Sequence, residues 1–317
     1  MFSLPELEAA GRVVHACFPG TPQYTWPLLS ARTGAEVWVK HENHTPTGAF
    51  KLRGGLVFAE RLKRESPHIT GLISATRGNH GQSLALAGQR HGIAVTIVVP
   101  HGNSVEKNAA MRALGATLIE HGADFEAARE EAVRLATARG LVFAPSFAPD
   151  LVRGVATYAL ELFRGAPPLD AVYVPIGLGS GICGTILTRD LLGLRTEIIG
   201  VQASGADCYA RSLAAGRIVA MNRADTLADG VAVRQPDPMA FEIIRRGVSR
   251  IVTVSDAETG AAIRAYWTDT HNLVEGAGAV PLAALVKERE RMAGKRAGLI
   301  VSGGNIDLAL FRKWIVD

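Results

Sequence analysis

The stretch PTGAFKLRG, residues 46–54, places a lysine behind a proline–threonine–glycine turn and beside an aromatic ring. Lys51 follows Phe50 directly and has further apolar residues close by, so its amine can be partly removed from water. Desolvation disfavours the charged form of a lysine, which lowers its pKa and leaves a nucleophilic amine. Such a lysine can form a Schiff base with an aldehyde. Taken alone, the stretch fits an exposed lysine at the start of an ordinary helix better.

A second stretch, GLGSGICG at residues 177–184, lies between a predicted strand and a predicted helix. Glycines at such a place let main-chain N–H groups turn toward an anion, so a phosphate is the expected ligand. Residues 179–184 also satisfy the dinucleotide pattern G-x-G-x-x-G, which needs an acidic residue about 20 positions further on. The next strand ends at Gln202 instead, which favours a phosphate monoester. A tight turn without a ligand stays open.

Two further stretches follow predicted strands. TRGNHG, residues 76–81, carries hydroxyl, amide and N–H groups that can hold a carboxylate or a phenolic oxygen. SGGN, residues 302–305, ends the last strand, where ligands of open α/β sheets bind. Each stretch has a structural alternative, which is a capped helix start for the first and a simple turn for the second.

Strands and helices alternate along most of the chain. A strand–helix rhythm from 69 to 143 implies a small open parallel sheet, and the rhythm restarts after Pro145. A chain of 317 residues is long for a single core, so two lobes are expected. We predict an α/β fold of two open, mostly parallel twisted sheets flanked by helices. The predicted helices include 82–91, 154–163 and 278–292.

Composition narrows the class of protein. The net charge is +4, and the basic residues are scattered among acidic ones, which argues against nucleic acid as a partner. Three widely spaced cysteines argue against a disulfide framework and for a reducing compartment. No secretory signal and no apolar run of about 18 residues is found, so no membrane contact is expected. We predict a cytoplasmic protein.

Together the four stretches resemble the fold type II pyridoxal-phosphate enzymes, which are tryptophan synthase β-like, and specifically the threonine/serine dehydratase and serine racemase branch. The resemblance covers nearly the whole chain, and the motifs come in the family's order and spacing. It implies pyridoxal 5'-phosphate (PLP) as cofactor and Lys51 as the catalytic Schiff-base lysine. The cofactor-binding residues that it implies are Phe50, Lys51, Asn79, Gly177, Leu178, Gly179, Ser180, Gly181, Gly230 and Ser302.

The resemblance also implies how the substrate is bound and how the chain is divided. The implied substrate-binding residues are Thr76, Arg77, Asn79, His80 and Ser146. Residues 1–66 and 149–317 would form a large cofactor-binding domain, and residues 67–148 a small mobile domain that closes over the substrate. Relatives of this kind are often homodimers, and we expect one here. No metal site is expected, because Gln202 stands near the place of a glutamate that some relatives use beside Asp207.

The implied activity is the β-elimination of a 3-hydroxy-L-amino acid to a 2-oxo acid and ammonia. Threonine and serine are the default substrates, and 3-hydroxyaspartate and 3-phenylserine are alternatives, because Arg77 stands where the racemase branch has a serine. A neutral Ser302 facing the pyridine nitrogen favours expulsion of a β leaving group. The alternatives are a β-replacement enzyme, an amino acid racemase and a non-enzymatic PLP-binding protein. Intact Lys51, Asn79 and Ser302 weigh against the last of these.

Overall fold

A computed structural model describes residues 1–315 of the chain. The strands, in chain order, are β1 (Gln23–Thr25), β2 (Glu36–His41), β3 (Gly71–Ala75), β4 (Ala94–Val99), β5 (Thr117–Glu120), β6 (Val142–Phe143), β7 (Ala171–Pro175), β8 (Glu197–Ala203), β9 (Arg250–Val254) and β10 (Arg296–Val301). They form two sheets, one of six strands and one of four. The predicted α/β class with two mostly parallel sheets is confirmed.

Helices cover the remaining regular structure. They are α1 (Leu4–His15), α2 (Pro27–Thr33), α3 (Lys51–Glu65), α4 (Asn79–His91), α5 (Val105–Ala113), α6 (Phe125–Arg139), α7 (Pro149–Gly165), α8 (Ser180–Leu191), α9 (Cys208–Ala215), α10 (Pro238–Gly247), α11 (Asp256–Thr270), α12 (Gly276–Lys287), α13 (Arg289–Met292) and α14 (Leu308–Ile315). In the described part of the chain, none of these helices has the length and apolar character that a bilayer crossing requires.

The bounds predicted for three helices were wrong. Helix α7 begins at Pro149 rather than 154, because proline suits the first position of a helix and Gly154 lies inside it. A Cβ at Gly154 would lie 2.3 Å from the Arg53 carbonyl oxygen, so the glycine permits close packing on α3 rather than marking a helix start. Helix α4 begins at Asn79 rather than 82, and the predicted helix 278–292 is two helices, α12 and α13.

The structure divides into two compact units. The first comprises Met1–Pro19 and Ala49–Val155. Its sheet has the strand order β5-β4-β3-β6, and all pairs are parallel. Strand β3 is central and buried along its whole length, which explains its continuous apolar character. The carboxyl end of β3 leads into residues 76–78 and then into α4.

The second unit comprises Gly20–Gly48 and Ala156–Asp317. Its sheet has the order β1-β2-β10-β7-β8-β9, in which only the edge strand β1 is antiparallel to its neighbour. Strands β7 and β10 are parallel neighbours, so the loops after both strands leave the sheet at the same edge. Ligands of open α/β sheets bind at that edge.

The predicted division into domains, 1–66 with 149–317 and 67–148, stays a prediction. In the first unit, Leu52 and Leu56 of α3 pack in one apolar cluster with Val14 of α1 and Leu72 of β3. That the smaller part moves and closes over a substrate stays a prediction.

A buried ion pair in the second unit leads to a stability prediction. Lys40 of β2 is 1% exposed, and its Nζ donates to Glu161 Oε2 at 2.6 Å and to the Thr21 carbonyl at 2.8 Å. Removing one partner of a buried pair leaves an uncompensated charge and costs about 3–5 kcal/mol. We expect Glu161→Ala to lower the free energy of unfolding by that amount in urea titrations. The exposed pair of Arg223 and Asp225 is the control, and a similar loss in Asp225→Ala would contradict the argument.

Candidate active site

Lys51 is the first residue of α3, and its half-buried side chain lies beside the ring of Phe50. The Nζ atom is 5.2 Å from the ring centroid. Loss of solvation lowers the pKa of Lys51 from 10.5 to about 8. A lysine with such a pKa has an appreciable neutral fraction near physiological pH, and the neutral amine is the nucleophilic form. The desolvated amine expected from the sequence is therefore present.

Helices α3 and α4 are in close contact near their N-terminal ends. The Ser83 hydroxyl donates to the Lys51 carbonyl at 2.6 Å, and a Cβ at Gly55 would lie 2.2 Å from Ser83 Oγ. Glycine at position 55 therefore lets the two helices approach. This packing fixes the start of α3 relative to Asn79 and His80, which occupy the first turn of α4.

The loop between β3 and α4 is held by its own side chains. Thr76 is buried, and its Oγ1 accepts from the Gly78 N–H at 3.1 Å. Lys107 of α5 is also buried, and its Cδ would be 2.5 Å from a Cβ at Gly78, so its aliphatic stem covers the loop. Lys107 was not predicted as part of this site, since nothing in the linear sequence places it beside residue 78.

Arg77 differs from its neighbours because its side chain is exposed. Within residues 1–315, its guanidinium has neither a hydrogen bond nor an ion pair. Arg77 thus adds an unneutralised positive charge to a loop that the sequence predicts to bind a carboxylate. Ser146 is half-buried in the loop after β6, the parallel neighbour of β3, and so follows the same edge of this sheet.

His80 is 6% exposed, and burial together with the nearby positive charge of Lys51 lowers its pKa to about 3. It is therefore neutral at physiological pH. It also forms a hydrogen bond with the main chain of Pro145. Since its side chain is neutral, the main-chain N–H groups at the start of α4 are the better donors for a carboxylate.

In the second unit, the glycine-rich loop connects β7 to α8. Gly179 has a φ of 104°, a conformation that favours glycine, and a Cβ there would lie 2.9 Å from Ala240 Cβ. The first N–H groups of a helix have no partner within it and carry partial positive charge, so this loop presents the groups that suit a phosphate. Gly181 and Ser180 form the first turn of α8.

Two buried tyrosines form hydrogen bonds with the main chain of this loop and of the helix start after it. They were not predicted from the sequence. The Tyr209 hydroxyl donates to the Leu178 carbonyl at 2.8 Å, and the Tyr158 hydroxyl donates to the Gly181 carbonyl at 2.9 Å. These two bonds fix carbonyl groups of the loop and of the first turn of α8. Tyr209 and Tyr158 lie 31 and 23 positions away from these carbonyl groups in the chain, where no local motif could identify them.

Gly230 and Ser302 lie near the glycine-rich loop within the same unit. A Cβ at Gly177 would lie 2.5 Å from the Gly230 carbonyl oxygen, so these two main chains touch. Ser302 directly follows β10 and is 3% exposed. The next residue, Gly303, accepts from the Glu275 N–H at 3.1 Å. The second unit thus brings together the predicted phosphate loop, Gly230 and a buried neutral hydroxyl.

Asp207 and Gln202, at the place where the sequence argued against a metal site, each have a hydrogen-bond partner within the protein. Asp207 accepts from Arg211 Nε at 2.6 Å, and Gln202 donates to the Ala206 carbonyl at 3.0 Å. The described residues include no group of three or more acidic, histidine or cysteine side chains suited to a metal ion. That the chain uses no metal stays a prediction.

Comparison with known proteins gives a consistent family. Residues 17–303 match the family described as pyridoxal-phosphate dependent enzyme. L-threonine ammonia-lyase of Thermotoga maritima is 34% identical over 316 residues, which is 99% of this chain and 78% of that protein. L-threo-3-hydroxyaspartate ammonia-lyase of a Pseudomonas species is 36% identical over 289 residues, 91% of this chain and 90% of that protein.

A solved structure, that of maize serine racemase, superimposes with a TM-score of 0.92 at 27% identity, over 98% of this chain and 96% of that one. The chain therefore belongs to the family of pyridoxal-phosphate-dependent enzymes, and its cofactor is PLP. The family and the cofactor predicted from the sequence are confirmed. Each unit, taken by itself, has groups that suit this cofactor: the first has a lysine amine with a lowered pKa, and the second a glycine-lined helix start.

Proposed function

We propose that this enzyme removes the α proton and the β-hydroxyl of a 3-hydroxy-L-amino acid and releases a 2-oxo acid and ammonia. The observation that carries the proposal is the Lys51 amine, whose pKa near 8 lets it act both as nucleophile and as base. The ammonia-lyase names of the two curated relatives support the same reaction. Water lost with the hydroxyl is regained when the released enamine hydrolyses, so the net change is deamination.

Lys51 would be the covalent attachment point of the cofactor. When bound, PLP supplies an electron sink that stabilises negative charge at the substrate α-carbon. Once the substrate amine has displaced it, the Lys51 Nζ would take the α proton as general base. Asn79 would hold the phenolic oxygen of the cofactor, and Phe50 and Gly230 would contact its ring.

The main-chain N–H groups of residues 177–181 would bind the phosphate of PLP. The contact between Gly177 and Gly230 and the support of Tyr209 favour a fixed loop, which loses little entropy on binding an anion. Leu178, Gly179, Ser180 and Gly181 are the other members of this proposed phosphate site.

Ser302 would donate its hydroxyl proton to, or accept one from, the pyridine nitrogen without a full charge. A carboxylate at this place would keep the ring protonated and stabilise a carbanion strongly. A buried neutral hydroxyl stabilises it less, which favours prompt loss of the β-hydroxyl over slow reprotonation. This supports elimination over the racemase alternative.

The substrate carboxylate would be bound by Thr76, Asn79 and the main chain of His80 at the start of α4, with Ser146 nearby. The helix N-terminus favours an anion there. The exposed positive charge of Arg77 favours a second substrate carboxylate, so 3-hydroxyaspartate is a candidate beside threonine and serine. Phenylserine has no second charge and would gain nothing from Arg77.

A panel of 3-hydroxy amino acids in both enantiomers tests the function. We expect purified enzyme supplied with PLP to form keto acid and ammonia from an L-substrate with no added nucleophile. Keto acid that appears only with an added thiol would indicate β-replacement instead. Loss of optical rotation without keto acid would indicate racemisation. Absence of all three reactions across the panel would refute the proposal.

Arg77→Ala tests the substrate class. If the guanidinium pairs with a second carboxylate, its removal should lower kcat/KM for 3-hydroxyaspartate by about 10- to 100-fold, the worth of a charged hydrogen bond. The value for threonine should change little. The measurement is the ratio of the two kcat/KM values, with exposed Arg112 of α5 mutated to alanine as the control. An unchanged ratio in Arg77→Ala would show that this arginine does not select substrates.

The assembly and the cellular location complete the proposal. The assembly would be a homodimer, which sedimentation of the purified protein can test. The location would be the cytoplasm, consistent with the free cysteines Cys17, Cys183 and Cys208.

A further inference from the structure

His80 combines deep burial with an incomplete set of hydrogen bonds. Its Nε2 atom is buried and, among residues 1–315, has no hydrogen-bond partner. The ring's hydrogen bond to Pro145 must therefore use Nδ1. Proline has no N–H and can only accept through its carbonyl, so Nδ1 is the donor and carries the proton. The structure thus fixes the tautomer of His80.

A histidine in this form presents a bare lone pair at Nε2. Such an atom accepts hydrogen bonds and cannot donate one, so the ring cannot hold a carboxylate. Burial keeps the ring neutral, since its pKa is lowered to about 3. An unsatisfied buried acceptor costs free energy, and one retained in an active site suggests that a donor reaches it during the reaction.

The donor that fits is the Lys51 amine. The positive charge of Lys51 lowers the pKa of His80, so the two side chains interact electrostatically within the first unit. Their main chains are fixed by the Ser83 bond between α3 and α4. The lysine amine lies at the end of a flexible stem of about four carbons, so it can move while its helix stays still. The other buried cation near α4, Lys107 of α5, packs its stem against Gly78.

We propose that His80 positions Lys51: Nε2 accepts a hydrogen bond from Nζ when Lys51 holds the proton that it takes from the substrate. The inference rests on the proposed function of Lys51 as the base. In that step the α C–H bond breaks, the proton forms the third N–H bond of an ammonium, and the electron pair left behind expels the β-hydroxyl. His80 gains no proton and acts only as acceptor. It thereby directs the ammonium away from the reacting carbon and stabilises it.

Two substitutions separate this role from packing. His80→Leu introduces an apolar side chain of similar size and removes both the Nε2 acceptor and the Nδ1–H donor. His80→Gln keeps an acceptor, because its amide oxygen can replace Nε2. His91, at the other end of α4, provides the control variant His91→Gln. Thermal unfolding of all the variants reports on packing separately from the site.

The first measurement is the amount of PLP fixed to Lys51 by borohydride across the pH range, quantified by mass spectrometry. Attachment needs the neutral amine, and an acceptor stabilises the ammonium, so it raises the pKa of Lys51. We expect the midpoint in His80→Leu to lie about one pH unit or more below that of the wild type. His80→Gln and His91→Gln should keep the wild-type midpoint.

Kinetics provide a second measurement. We expect kcat in His80→Leu to fall about tenfold or more with KM little changed, and His80→Gln to recover most of the loss. An unchanged midpoint in His80→Leu would overturn the inference. A raised KM with unchanged kcat would also overturn it, because Nε2 would then bind the substrate. A wild-type enzyme that carries no cofactor on Lys51 would instead refute the proposed function itself.

The wild-type holoenzyme gives a test that does not depend on a folded variant. Nitrogen NMR of labelled His80 should show a protonated Nδ1 and an unprotonated Nε2 throughout the range from about pH 6 to about pH 9. An unperturbed histidine, with a pKa of about 6.5, would gain a second proton at the lower end of this range. The Nε2 resonance should move when substrate is added and Lys51 is released. A Nε2 resonance that does not respond to substrate, or a protonated Nε2, would overturn the inference.

Discussion

Lys51→Ala is expected to abolish covalent attachment of PLP and to reduce turnover by about 1,000-fold or more. The estimate follows from the loss of a general base, which contributes about 100- to 10,000-fold, together with the loss of the attachment point. Mass spectrometry after borohydride treatment measures the attachment, and keto-acid release measures the turnover. The fold should survive, because Lys51 begins α3 rather than filling the apolar cluster around Leu52 and Leu56.

The matched control is Lys63→Ala, a second lysine on the same helix, twelve residues further on. At about 1.5 Å per residue it lies roughly 18 Å from Lys51, too far to replace it. We expect this variant to load and to turn over normally. Near-normal turnover in Lys51→Ala, or borohydride labelling of another lysine in the wild type, would end the present assignment.

The pH dependence of attachment follows from the lowered pKa. In the unfolded chain a lysine is protonated up to about pH 10.4, whereas Lys51 in the fold loses its proton near pH 8. Between these values the unfolded chain binds the extra proton, so stability contributed by this site rises with pH across that window. The rate of attachment should rise through about pH 8 and level off above it. A rise centred near pH 10 would contradict a desolvated lysine.

Much of this picture was predictable because the informative residues form short, contiguous motifs. The Lys51 stretch, the loop at 76–81 and the glycines at 177–184 each follow a strand or open a helix, as the parallel architecture requires. The runs Ala94–Val99 and Ala171–Pro175 form strands, as expected of apolar runs with β-branched residues between turns. Alternation of strands and helices then determined the fold class.

The rest depends on contacts between distant residues. The approach of Gly177 to Gly230 and the bond of His80 to Pro145 join positions more than 50 apart, so no local pattern encodes them. The start of α7 was missed because Gly154 resembles a helix boundary in the sequence but serves close packing in the structure. Short elements such as β1 and α2 were missed for another reason, since three to seven residues carry too little periodicity.

Gly179→Ala should weaken PLP binding by about 100-fold without changing the reaction that the bound cofactor supports. Gly179 has a φ of 104°, and the added Cβ would lie 2.9 Å from Ala240 Cβ and 3.2 Å from the Tyr209 hydroxyl, so the loop must shift. A shifted loop presents its N–H groups at the wrong positions, and charge-assisted bonds to a phosphate are worth roughly 1.5–3 kcal/mol each. The dissociation constant, measured by equilibrium dialysis, reports the effect.

Pyridoxal, which has the same aldehyde and ring but no phosphate, distinguishes the loop from the rest of the site. If the loop binds the phosphate, Gly179→Ala should lose affinity for PLP and keep its weaker affinity for pyridoxal. Gly193→Ala is the matched control: it has a φ of 63° beyond the end of α8, and its added Cβ would meet nothing within 4 Å. Because its φ is also positive, alanine is strained there too, and this variant should bind both ligands as the wild type does. Equal losses for PLP and pyridoxal in Gly179→Ala would mean that the substitution damages the site generally and that the phosphate is bound elsewhere.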